Sequence, residues 1–144
     1  MHPIERIVRD MGIASTAEIL ARGYETDMIR WVVIYGKIRR IRHGWYAAPG
    51  LPADCLRAWR AGGRLACISA AAHYGLWPER PAAVHVRVAA NASRVQRASD
   101  VVLHWSRRPV TGTRLAVSID EVLLAVRRCQ PPEVFHAVRR AANR

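Results

Sequence analysis

Ser15-Thr16-Ala17-Glu18-Ile19-Leu20-Ala21-Arg22-Gly23-Tyr24-Glu25-Thr26 opens the stretch, running on to Tyr46, whose reading decides the fold. Ser15 and Glu18 have the spacing of a capping box, in which the Ser15 hydroxyl accepts from the Glu18 backbone N–H and the Glu18 carboxylate accepts from that of Ser15. A helix is therefore predicted to start at Thr16. It stops at Gly23, where a residue without a Cβ can turn left-handed and close it. After the turn Gly23-Tyr24-Glu25, Glu25 or Thr26 opens a second helix with Ile29 and Val33 inward, one turn apart, ending at Gly36. Two helices on a short glycine turn read as helix-turn-helix.

Lys37-Ile38-Arg39-Arg40-Ile41-Arg42-His43-Gly44-Trp45-Tyr46 follows. Its apolar positions fit a short strand, Gly44 supplies a turn, and the aromatics begin a return strand. Lys37, Arg39, Arg40, Arg42 and His43 lie where the wing of a winged helix-turn-helix would meet phosphate and release counterions. The bland alternative is a solvated, cation-rich edge strand that resists sheet-to-sheet aggregation. Following a capped helix-turn-helix, the wing is the favoured reading.

Working outward, Ile4, Ile7, Val8 and Met11 fall at helical spacing, which predicts a first helix from His2 or Pro3 to Met11. It would close a three-helix core with Ile13, Ile19, Leu20, Ile29 and Val33. Ala48-Pro49-Gly50-Leu51-Pro52 then marks a boundary between a DNA-binding domain, residues 1–48, and a second domain, residues 53–144. In the second, helices are predicted over 53–60 and 66–74. Val84, Val86 and Val88 alternate with His85 and Arg87 as a strand, and Val101 to Trp105 is its partner in a hairpin. Ser118-Ile119-Asp120-Glu121 is a second capping box, and Pro132 suits the first turn of a last helix. The fold class is α+β: a winged helix-turn-helix followed by a small mixed α/β domain.

With 144 residues and 51% hydrophobic content, the chain can bury a core. No run approaches a membrane span, and Met1-His2-Pro3-Ile4-Glu5-Arg6 lacks the basic-then-apolar pattern of a signal peptide, so a cytoplasmic protein without membrane partners is expected. The formal net charge of +12 attracts polyanions, and nucleic acid leads the partners. Residues 51–110 carry nine arginines against three acids, more than solubility needs. They would either extend a DNA footprint or form a scattered solvated surface. Arg94 to Arg97 and Arg107-Arg108, flanking the expected hairpin, are the better candidates. Of 23 cations only Lys37 is lysine. Arginine suits bidentate phosphate or guanine contacts, although a GC-rich genome gives the same bias.

Cys55, Cys67 and Cys129 are odd in number and widely spaced, and the six histidines are scattered. No disulfide framework or zinc motif is visible, so no metal and no cofactor are expected. Ser69 and His73 sit one helical turn apart, and His104 lies near Arg107 and Arg108 in sequence, but no acid is placed to orient either histidine. No catalytic residues are assigned and no enzyme is expected.

Gly12-Ile13-Ala14-Ser15, Gly23, Ile29, Val33, Gly36-Lys37-Ile38, Arg42-His43-Gly44-Trp45-Tyr46-Ala47 and Pro49-Gly50 resemble the N-terminal winged helix of AbiEi-type antitoxins and related transcriptional regulators. Leu65-Ala66-Cys67-Ile68-Ser69-Ala70-Ala71-Ala72-His73-Tyr74-Gly75-Leu76-Trp77 looks like that family's alanine-rich helix ending in a glycine-leucine pair. The resemblance implies a DNA-binding regulator, an antitoxin-like autorepressor of a toxin-antitoxin operon, with double-stranded DNA and a cognate toxin protein as partners and room for a homodimer. Some similar proteins carry a nuclease domain of the very-short-patch-repair type. Its Asp/Glu-x-Lys element is not found, since Tyr35 stands two residues before Lys37.

The expected DNA-binding residues are Thr26, Arg30, Trp31, Lys37, Arg39, Arg40, Arg42 and His43, with Arg107 and Arg108 from the second domain. The second helix departs from a good reading helix, offering only Arg30 as a cation and placing Glu25 and Asp27 at its start, where they favour the helix dipole but repel phosphate. Wing-to-phosphate contact is the stronger expectation. The alternative is a protein-interaction module, or the DNA-targeting module of a larger endonuclease-like protein whose catalytic domain lies outside this sequence. Tryptophans at 31, 77 and 105 are its motive.

Overall fold

A computed structural model describes residues 1–144, which divide into two compact units, Met1–Leu56 and Arg57–Arg144. The chain is mixed α and β, with seven helices and two three-stranded sheets.

The first unit begins with α1 (Pro3–Met11), whose first turn is capped by the His2 ring nitrogen accepting from the Ile4 N–H at 3.0 Å. β1 (Ile13–Ser15) leads directly into α2 (Thr16–Ala21). Both bonds of the Ser15–Glu18 capping box are made, at 3.1 and 2.9 Å. α3 (Thr26–Ile34) follows, then β2 (Arg39–Arg42) and β3 (Trp45–Ala47), and the sheet order is β1-β3-β2, antiparallel throughout. The sequence reading contained the β2–β3 hairpin and missed β1, because three residues between two helices leave no periodicity to detect.

The core joins Ile4, Ile7 and Val8 of α1 to Ala14, Ile19, Ile29, Val32 and Ile38. Burying each large aliphatic side chain contributes about 1.5–3 kcal/mol, so these side chains hold the three helices against the sheet. Two expectations are corrected. The buried pair of α3 is Ile29 and Val32, with Val33 only packing against the edge, and Leu20 is exposed. Adjacent residues lie about 100° apart around a helix, so with Ile19 buried in α2 its neighbour Leu20 turns out of the core.

In the second unit, α4 (Ala53–Ala61), whose first residues belong to the first unit, is followed by β4 (Arg64–Leu65), α5 (Cys67–His73), β5 (Val84–Ala89), β6 (Val101–Ser106), α6 (Ile119–Cys129) and α7 (Pro132–Ala142). The sheet order is β4-β5-β6. β4 pairs antiparallel with β5, and its outer side is held by residues 115–117: the Leu65 N–H donates to the Leu115 carbonyl and the Val117 N–H to that of Leu65.

The predicted hairpin is overturned, because β5 and β6 run parallel, Val84 opposite Val101 through Ala89 opposite Ser106. Residues 90–100 carry the chain back across the sheet without a helix or strand. Eleven residues are close to the minimum for such a crossover, and their polar composition resembles a hairpin loop. β5, flanked on both sides, is buried on both faces, so His85 and Arg87 are covered rather than solvated. Of the second capping box only the Ser118 half is made, at 3.3 Å. The Glu121 carboxylate accepts instead from the Thr111 hydroxyl.

Candidate functional site

The basic hairpin of the first unit is built as an edge. Ile38 and Ile41 are buried and anchor it, while Lys37, Arg39, Arg40 and His43 are exposed and Arg42 is half-buried. Arg39 lies opposite Ala47, and Arg40 opposite Tyr46. Directly opposed residues share a sheet face, so the two neighbouring arginines project to opposite faces. A shift of register at Ile41 then brings Arg42 opposite Trp45, which returns it to the face of Arg39. Arg40 is held near the turn by its guanidinium, 3.3 Å from His43 Nδ1. The bulge thus divides the cations into Arg39 with Arg42 on one face and Arg40 with His43 on the other.

α3 presents Thr26, Arg30 and Trp31 at its surface. Arg30 stands 3.6 Å from the Asp27 carboxylate on the same exposed face, so its charge is partly neutralised there. Its remaining outer face is apolar. Trp31, Ile34 and Tyr35 are 57%, 63% and 70% exposed, and the Trp31 and Tyr35 rings stack at 6.1 Å between centroids. Met28, Trp31 and Tyr35 with His2 and Lys37 line an open groove of about 400 Å³.

The arginines of the second unit do not act as one group. Arg57 donates to the Asp100 carboxylate at 2.8 Å and to the carbonyls of Ala82 and Asp100. Arg64 donates to the Thr113 carbonyl, and burial with the nearby Arg87 and Arg114 charges lowers its pKa. Arg87, only 6% exposed, donates to the Arg108 carbonyl, and its Nε lacks a partner. These three brace the unit. Arg107 and Arg108 are exposed and, with Arg87, Asn91 and Ser106, line a cleft of about 530 Å³ at the C-terminal ends of β5 and β6. Arg97 lies over the Trp105 ring at 5.6 Å.

Residues scattered in sequence meet elsewhere in the same unit. Cys67 opens α5, His85 lies on β5, His104 on β6, and Cys129 ends α6. Their ligating atoms all lie within 4.8 Å of one another. His85 Nδ1 is 2.9 Å from His104 Nε2 and 3.9 Å from Cys129 Sγ. Register explains the histidine pair: His85 opposes Val102 and Arg87 opposes His104, which places His85, Arg87 and His104 on one face. Cys67 is brought to them by two bonds to His85, whose carbonyl accepts from the Ala66 N–H and whose own N–H donates to Ser69 Oγ, both at 2.9 Å. Ser69 is thus a buried brace, while His73 is exposed against Tyr74, so the suspected Ser69–His73 pair is not assembled.

Burial, then the neighbouring His104, holds His85 down to about 4, and burial lowers His104 as well. Burial and the nearby Cys129 push the Cys67 thiol well above its ordinary value. Burial thus favours the neutral form at His85, His104 and Cys67. Cys67 also has φ +52°, a left-handed conformation rare for a residue with a side chain and unfavourable by about 1–2 kcal/mol.

Sequence inspection missed this cluster because zinc motifs are recognised by short local spacings such as C-x₂-C, and here each donor comes from a different element. The one available signal was His85 and Cys67 in stretches otherwise dense in apolar residues. No helix is long and apolar enough to cross a membrane. Comparison of the chain with protein-family models and with curated proteins finds no match in either.

Proposed function

We propose that the first unit is a winged helix-turn-helix and that the protein is a DNA-binding transcriptional regulator, an antitoxin-like autorepressor. The observation that carries this reading is the cationic edge of exposed Lys37, Arg39 and Arg40 with half-buried Arg42, set directly after the capped α2 and α3. Its task is positional: the hairpin arginines hold phosphates and release counterions, while Arg30 and Thr26 on α3 reach towards the groove. Direct base readout is the lesser contribution, since Asp27 competes for Arg30. Arg107 and Arg108 offer a further set of phosphate contacts on the second unit. Double-stranded DNA is the partner this requires, and the reading asks no catalytic chemistry of the chain.

A second reading is favoured by the outer face of α3. Met28, Trp31, Ile34 and Tyr35 form an exposed apolar surface of the kind that anchors protein partners, such as a toxin or a second copy. A salt titration of binding to the protein's own promoter, against an unrelated duplex of equal length, separates the two. A preference of roughly 10³-fold or more for the promoter is expected of a regulator. Equal affinity for both duplexes, unaffected by Arg39→Ala/Arg40→Ala, would move the function to the apolar face.

A further inference from the structure

We propose that Cys67, His85, His104 and Cys129 form a tetrahedral zinc site that ties α5, β5, β6 and α6 of the second unit together. The inference is independent of the DNA-binding reading, since all four donors lie in residues 57–144.

The donor set selects the metal. Two thiols and two imidazoles are soft or borderline ligands, which exclude calcium and magnesium and match the Cys₂His₂ sets of structural zinc. Bond lengths of about 2.0–2.1 Å to nitrogen and 2.3 Å to sulfur give a tetrahedron with edges of roughly 3.3–3.8 Å. The observed 2.9 Å between the imidazole nitrogens and 3.9 Å from Cys129 Sγ to His85 Nδ1 bracket that range. All four donor atoms lie within 4.8 Å of one another, so side-chain shifts of up to about 1 Å bring every pair to a tetrahedral edge and seat the ion. A two-iron cluster with two histidines on one iron and two cysteines on the other would need the pairs separated by the cluster, whereas here all four donor atoms lie within 4.8 Å of one another.

The surroundings fit as well. Binding releases the thiol protons, and Zn²⁺ with two thiolates and two neutral imidazoles carries no net charge, which suits the interior beside buried Arg87. Cys129 is the exposed member, so the ion enters at the end of α6. Four protein ligands leave no open coordination position, which assigns the site to structure rather than to Lewis-acid catalysis. The other use of this geometry, a Cys67–Cys129 disulfide, would leave the facing histidines without a task.

The test is titration of the reduced, metal-free full chain with Co²⁺ and then Zn²⁺. One equivalent of Co²⁺ is expected to give the ligand-field bands of a tetrahedral ion and a near-ultraviolet thiolate charge-transfer band, both bleached by one equivalent of Zn²⁺. Zinc should also protect Cys129 from alkylation. Cys129→Ser, altered at the exposed ligand, should lose about half of the charge-transfer intensity and weaken binding by more than the roughly 10–100-fold typical of an outer-shell loss. Cys55→Ala, changed at the third cysteine, should bind like the parent. Failure of the reduced parent to take up Co²⁺ would overturn the proposal, as would uptake without thiolate charge transfer or unchanged binding by Cys129→Ser. Recovery of a Cys67–Cys129 disulfide from protein that takes up no metal after reduction would overturn it equally.

Discussion

At the residue scale, two glycines that look alike in sequence have opposite roles. A Cβ on Gly63 would run into the Arg87 carbonyl and the Val86 side chain, whereas one on Gly50 would meet nothing. Neither clash nor freedom is written in the local sequence, because the partner strand of Gly63 arrives more than twenty residues later. Gly63→Ala should therefore destabilise the chain by about 3 kcal/mol or more, and Gly50→Ala should stay within about 0.5 kcal/mol, both read from urea unfolding midpoints. The Ser15 cap is the converse case, fully legible from four letters and present with both of its bonds. Ser15→Ala should cost about 1 kcal/mol in the same measurement.

At the scale of elements, legibility followed the range of the forces involved. α1, α2, α3 and the β2–β3 hairpin are set by caps, glycines and short-range periodicity, and all were anticipated. The parallel pairing of β5 with β6 was not, because alternation of Val84, His85, Val86, Arg87 and Val88 describes a half-exposed strand. That pattern cannot report that neighbours cover its polar face. The cluster of Cys67, His85, His104 and Cys129 was hidden for the same reason, since it exists only once that register is set. The bulge in β2 gives a prediction that hairpin spacing alone would not. Arg39 and Arg40 face opposite ways, so only one of them should dominate contact with a single duplex. If phosphate binding is the hairpin's task, one single alanine variant should lower the magnitude of the salt slope by about 0.9 and the other by distinctly less. Equal slopes in parent, Arg39→Ala and Arg40→Ala would remove the hairpin from the interface.

At the scale of the whole molecule, the positive charge is spread over both units, yet several second-unit arginines are occupied internally. Net charge therefore overstates what is free to meet a polyanion. Arg57→Ala should destabilise folding, while Arg107→Ala/Arg108→Ala should leave the unfolding midpoint nearly unchanged and weaken DNA binding at low salt. Thermal unfolding and a binding titration on the same preparations separate the two effects. With zinc at a free concentration a thousandfold above its dissociation constant, linkage adds about 4 kcal/mol to the unit it binds, and a strong chelator should remove that increment from the melting curve. The convergence of four elements also sets a timetable for the growing chain. Cys129 follows Cys67 by 62 residues, so at 5–20 residues per second a ribosome leaves Cys67 waiting about 3–12 s for its last partner. During that interval the nascent thiol, and the two imidazoles once they are made, stand open to oxidants and to foreign chains. A nascent-chain experiment stalled before and after α6 would find Cys67 alkylated in the first case and shielded in the second.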